Sequence, residues 1–139
     1  MSLTPQQIKQ VQHSFTLVEP IADQAAEIFY AKLFEYAPEL KPLFKRGLKE
    51  QGRMLMSTLK LAVRGLDDLP ALVPVLQQLA ERHVGYGVQA SDYTPVGNAL
   101  LYTLKTGLGD AWTPELRQAW IEVYRAMAQV MKSHAHPEG

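Results

Sequence analysis

Apolar residues recur along this chain at intervals of three and four, and prolines and glycines cut the pattern into helix-length segments. Thr4, Pro5 and Gln7 supply an N-cap, a proline at the first helical position and a glutamine placed for a capping box. The stripe that follows runs through Ile8, Val11, Phe15 and Val18. Pro20 opens a second helix with Ala26, Phe29, Tyr30, Leu33 and Phe34 on one face. Pro38 and Pro42 leave room for only a short helical turn before Phe44 and a polar loop from Lys45 to Glu50. Gln51, Leu55, Thr58, Leu59, Ala62 and Leu66 then share a face.

Asp68 and Pro70 mark another start, and Leu72, Leu76, Leu79 and His83 form its stripe, closed by Gly85 and Gly87. A helix after Asp92 carries Val96, Leu100, Leu104 and Leu108, with a stop near Gly107 and Gly109. Thr113 and Pro114 repeat the cap-and-proline start for a last helix through Leu116, Trp120, Val123, Met127 and Val130. No stretch alternates with the period of a strand. The pattern predicts an all-α chain of about six to eight helices, read as one domain over 1–139.

Charge and composition narrow the function by exclusion. Fourteen basic residues balance fourteen acidic ones, which gives no footprint for nucleic acid or an anionic membrane. The chain has no cysteine, so disulfides, thiolate catalysis, iron–sulfur clusters and cysteine zinc sites are all excluded. The first residues, Met1 to Gln7, hold neither a basic region nor an apolar run, so no signal peptide is expected and a cytoplasmic chain is. No run is long and apolar enough to span a bilayer.

Four residues stand out as candidates for chemistry. His83 ends an apolar stripe while Gln77, Gln78, Glu81 and Arg82 take the other faces of its helix. Such a histidine is either a hydrogen-bonded core residue or an axial ligand to a metal. His13, His134 and His136 lie instead in the first helix or the tail. Gln51 is polar on an otherwise apolar face, either as a solvent-facing helix start or as an inward donor. Tyr30 sits among apolar neighbours and its hydroxyl needs a partner, either backbone or ligand. Phe44, after two prolines, is either a core plug or a stacking surface.

In this order and spacing, Tyr30, Phe44, Gln51, Leu55, His83 and Tyr93 resemble the haem pocket of single-domain bacterial haemoglobins of the Vitreoscilla and Hell's Gate types, and of the globin domain of flavohaemoglobins. The resemblance runs from about Thr4 to Met131. It is densest at Ile28-Phe-Tyr-Ala-Lys-Leu-Phe34, at Pro38-Glu-Leu-Lys-Pro-Leu-Phe44, and from Leu69 to Gly97. It implies a globin fold, three helices over three around a haem pocket, with haem b as cofactor. By the same resemblance His83 is the proximal iron ligand and Phe44 stacks on the porphyrin. Tyr30 and Gln51 become the distal polar pair, and Leu55 the distal apolar residue. Leu79, Val88 and Val96 line the proximal side, Tyr93 orients the proximal histidine, and Arg82 is a candidate partner for a haem propionate.

Two departures accompany the resemblance. Flavohaemoglobins carry a glutamate on the last helix that joins the histidine and tyrosine. The matching position here is Ala135, between His134 and His136. No flavin or nicotinamide fingerprint is present, so electrons are expected from a separate reductase or a small reductant. The ligands implied are O2, CO and NO, and the oligomeric state stays open. Three functions compete: reversible O2 binding for storage or delivery, NO dioxygenation with a separate reductase, and gas sensing through a partner. A haem-free helical interaction module is the structural alternative.

Overall fold

The computed structural model describes residues 3–43, 47–85 and 87–136. Phe44 lies outside the described residues. Six α-helices run through them: α1 Pro5–Val18, α2 Ala22–Tyr36, α3 Leu48–Arg64, α4 Leu69–Gly85, α5 Tyr93–Leu108 and α6 Pro114–Ala135. Short 3-10 turns cover Glu19–Ile21, Pro38–Leu43, Gly65–Asp68, Ala90–Asp92 and Gly109–Ala111. No strand occurs among the described residues.

Several helix ends form for the reasons legible in the sequence. Thr4 and Gln7 make the reciprocal capping box of α1, at 3.0 and 3.1 Å. Thr113 caps α6 by accepting the Leu116 amide at 3.1 Å. Gly109 has φ +53, a conformation most side chains disfavour, and it stops α5. Gly87, at φ +95, turns the chain after α4. Its amide bonds the Val84 carbonyl and the Val88 amide bonds the His83 carbonyl, both at 3.0 Å.

Two boundaries differ from the sequence pattern. Pro20 lies in a 3-10 turn and α2 begins only at Ala22. Helix α3 starts at Leu48, so the polar loop expected up to Glu50 is shorter. Lys49 and Glu50 are simply the exposed first turn, where polar groups cost nothing and Glu50 suits the helix dipole. Helix α4 also runs through Pro74. The backbone bond lost there would have gone to Pro70, and both residues are exposed to water that satisfies the carbonyl.

The helices sort into two layers, α1, α3 and α4 facing α2, α5 and α6. Helix α1 crosses α6 and α5, α2 packs on α5 and α3, and α4 packs on α6. Trp120 of α6 is fully buried against α1, where its indole N–H donates to Ser14 Oγ at 2.9 Å. Ser14 in turn donates to the Val11 carbonyl at 2.8 Å, so this polar pair is satisfied inside the core. Val11, Phe15, Val18, Leu33, Leu66, Leu104 and Val123 are buried in the same core.

Two glycines allow close helix approach. A Cβ added to Gly52 of α3 would lie 2.8 Å from Ala26 Cβ of α2, and one added to Gly97 of α5 would lie 2.6 Å from the Tyr124 ring of α6. Gly52→Ala must therefore push α3 away from α2, and overpacking of this kind costs roughly 1–3 kcal/mol. Gly85→Ala meets nothing within 4 Å and should stay within about 0.5 kcal/mol of the parent. Urea unfolding of the two variants checks this: the Gly52→Ala midpoint should fall and the Gly85→Ala midpoint should not.

Candidate functional site

Between the layers lies a cavity of about 450 Å³, within the range of about 300–1,000 Å³ usual for cofactor and ligand sites. Helices α2 to α6 all contribute to its wall, which is mostly aliphatic, aromatic and methionine. The apolar face of α3 explains itself here. Leu55 and Leu59 pack at the edge of the core and are only partly buried because they also border this space.

On the α4 side stands His83. Its Nδ1 lies 2.8 Å from the carbonyl oxygen of Leu79, one turn earlier. A carbonyl only accepts, so Nδ1 carries the proton and Nε2 keeps the lone pair. Burial lowers the His83 pKa, the Leu79 bond partly opposes this, and the charge of Arg82 lowers it further. The imidazole is thus held neutral, with its orientation fixed from behind.

On the α2–α3 side stand Tyr30 and Gln51. The Tyr30 ring is buried, edge-on to Phe29 at 5.1 Å between centroids and stacked on Phe34 at 6.0 Å. Its hydroxyl donates to the backbone carbonyl of Gln51 at 3.3 Å, long for an O–H···O bond. Burial pushes the Tyr30 phenol up to about 12, so it remains a protonated donor at neutral pH. The Gln51 side chain belongs to the same wall, half buried.

Of the other residues singled out in the sequence, Leu55, Leu79, Val88, Tyr93, Val96 and Arg82 all border this cavity. Arg82 is exposed at its rim. Ala135 instead packs, half buried, at the edge of the core. Its neighbour His136 places its ring edge-on to Tyr93, with centroids 6.4 Å apart. Burial, and then the nearby Asp92 carboxylate, raise the Tyr93 pKa. The Tyr93 hydroxyl and His136 Nε2 are both buried without a hydrogen-bond partner. An unsatisfied buried polar atom costs about 1–3 kcal/mol, so the pair calls for an explanation.

Sequence reasoning missed part of the wall. Met54 and Thr58 on α3, Leu100 on α5, and Tyr124, Met127 and Met131 on α6 also border the cavity. Tyr124 donates to the Tyr93 carbonyl at 2.6 Å, joining α6 to the start of α5. Burial raises its pKa strongly. The helical spacing of Trp120, Val123 and Met127 marked an inward face, but periodicity does not separate a core wall from a cavity wall.

The globin family model matches residues 27–131, three quarters of the chain. The chain belongs to the globin family. Flavohemoproteins are among its relatives: that of Chromobacterium violaceum is 38% identical over 107 residues, covering 74% of this chain and 26% of the relative. That of Vibrio cholerae is 30% identical over 131 residues, covering 92% of this chain and 33% of the relative. The globin chain thus spans about a quarter to a third of the length of these curated relatives.

Among solved structures, it superimposes on an engineered carbene transferase made from a Rhodothermus marinus protein designated a nitric oxide dioxygenase. The TM-score is 0.86 at 29% identity, over 98% of this chain and 95% of that one. A hexacoordinated haem protein from an anhydrobiotic tardigrade shares the fold at TM-score 0.86 and 20% identity, over 96% of this globin and 95% of that chain. Globins are a haem-binding family, and the donor set fits the group. One oriented neutral imidazole and two polar hydrogen-bonding side chains border a cavity otherwise apolar and of cofactor size.

Burial of neutral His83 has a consequence for stability. Its pKa is lower folded than unfolded, so as pH falls through about 6.5 the unfolded chain takes up the proton first. Stability of the haem-free globin should fall with acidification from there, until pH passes below the depressed folded value. His83→Gln should flatten this part of the profile. Urea unfolding of both proteins between about pH 7.5 and about pH 5.5 measures the two slopes, and equal slopes would show that His83 is not their source.

Proposed function

We propose that this globin binds haem b and holds O2 reversibly, with His83 as the protein ligand to iron. The observation that carries the reading is the imidazole tied to the Leu79 carbonyl, in a cavity whose α2–α3 wall holds Tyr30 and Gln51. When bound, the haem would supply an iron held by His83 and able to take O2, CO or NO as ligand. Leu79, Val88 and Val96 would line the side of His83, Leu55 the opposite side, and Arg82 would meet a haem carboxylate at the rim. Phe44 remains the proposed stacking residue on the resemblance alone. Reading residues 1–139 as one globin domain is part of the same proposal, as is a cytoplasmic location.

The side chains then have separate tasks. The Leu79 carbonyl keeps the proton on His83 Nδ1, so that Nε2 is the donor nitrogen. The Tyr30 hydroxyl turns about its own C–O bond, and its long contact to Gln51 is readily exchanged for one to a ligand. A phenol is a stronger donor than the Gln51 amide, so Tyr30 takes the larger share of holding O2. Apolar walls keep water out.

NO dioxygenation is the second reading, favoured by likeness to the Rhodothermus marinus protein and to flavohemoproteins. It uses the same residues and needs a reductase to return the iron to the ferrous state. NO consumption under O2 with a purified reductase separates it from simple carriage.

Three variants test the site. His83→Gly should lose haem, or need added imidazole to recover a normal ferrous spectrum; an unchanged ferrous spectrum would overturn the ligand assignment.

Tyr30→Phe removes a bond to a ligand with partial negative charge, worth about 1.5–3 kcal/mol. O2 release should quicken roughly ten- to a hundredfold. CO holds far less negative charge and its release should change little, while Gln51→Leu should act more weakly than Tyr30→Phe. Stopped-flow dissociation of both gases decides this, since equal acceleration of the two would mean general disruption of the pocket.

A further inference from the structure

The only buried side-chain polar atoms without a partner among the described residues are the Tyr93 hydroxyl and His136 Nε2. They belong to rings in edge-on contact. Two unsatisfied groups on touching rings are complementary: the phenol is a donor, and a neutral imidazole nitrogen is an acceptor. Neither of the neighbouring polar side chains, Tyr124 and Asp92, bonds the phenol. Tyr124 spends its proton on the Tyr93 carbonyl at 2.6 Å, and Asp92 accepts the Gln89 amide at 2.8 Å within its own turn.

The chain also holds His136 in place. Its amide bonds the Lys132 carbonyl at 2.7 Å, and its backbone leaves the helical region, as expected of a residue before a proline. Two residues earlier, His134 meets Glu81 of α4 at 3.1 Å. The end of α6 is therefore fastened both to the helix of His83 and to the first turn of α5.

We propose that His136 is a positioning residue, whose Nε2 accepts a hydrogen bond from the Tyr93 hydroxyl, directly or through one water, and so fixes the phenol at the cavity wall it shares with His83. The bond gives Tyr93 an imidazole acceptor from the residue after Ala135, where no carboxylate is present. Tyr93 and His83 border one cavity, so the orientation of the phenol bears on the surroundings of the proximal imidazole. This last step rests on the haem reading above; the Tyr93–His136 bond does not.

The test therefore has two arms on the full-length chain. In the first, side-chain nitrogen NMR of the haem-free and the CO-bound protein follows His136 Nε2. An acceptor shift that moves in Tyr93→Phe is expected, and a signal indifferent to that substitution overturns the bond and leaves His136 as packing. In the second, resonance Raman of the ferrous protein reads the iron–histidine stretch. His136→Phe keeps the ring and should shift the frequency, while His136→Gln, which restores a polar partner, should return it toward the parent. An unmoved frequency with the bond present would overturn the positioning role. Failure to bind haem would defeat the globin-site reading, while the first arm on the haem-free chain still decides the bond.

Discussion

Gly52 lies so close to Ala26 that no methyl group fits between them, and much of the site follows from this approach. It sets the separation of α2 and α3, and with it the reach of the Tyr30 hydroxyl to the Gln51 carbonyl one residue away from the contact. A wider spacing would separate the two polar groups of that wall and enlarge the cavity. Gly97 against Tyr124 does the same for α5 and α6, and brings the Tyr124 hydroxyl onto the Tyr93 carbonyl. A cavity of this size survives in a close-packed protein only if its walls are rigid, and backbone contact through glycine is a stiff way to join helices.

Three polar groups of the interior obey one rule. Ser14 bonds the carbonyl three residues back, while Thr103 and His83 bond the carbonyl four residues back. Each satisfies itself on its own helix and asks nothing of a neighbouring one. Three others reach across: Trp120 crosses layers to Ser14, already tied to Val11, Tyr30 crosses to the Gln51 carbonyl, and Tyr124 joins α6 to the Tyr93 carbonyl of α5. Interior polarity is therefore localised, and the cavity wall remains apolar except at a few chosen positions.

The stripes at Leu72, Leu76, Leu79 and His83, and at Ala26, Phe29, Tyr30 and Leu33, made the inward faces of α4 and α2 legible. They did so because a 3.6-residue period puts those side chains on one face whatever the tertiary fold. The order of Tyr30, Gln51, His83 and Tyr93 then suggested the pocket. What stayed hidden depends on distance in space. Nothing local says that Met127, Met131 and Tyr124 meet residues from α2 and α3, or that Tyr30 bonds the backbone of Gln51. The role of the tail was hidden for a similar reason. Counting along α6 pointed to Ala135, but the helix ends there and the turn swings the next residue, His136, onto Tyr93.

The methionines in the wall have a chemical consequence. The chain contains no cysteine, so it has no thiol to be consumed by peroxide or other reactive oxygen species. Its softest oxidisable atoms are thioether sulfurs, and three of its five methionines, Met54, Met127 and Met131, border the cavity itself. Each sulfoxide formed there would replace an apolar surface with a strong dipole and admit water to a space that excludes it. If the cavity holds O2 as proposed, its own wall carries the oxidisable sulfurs nearest to the ligand, and oxidation would alter the site directly.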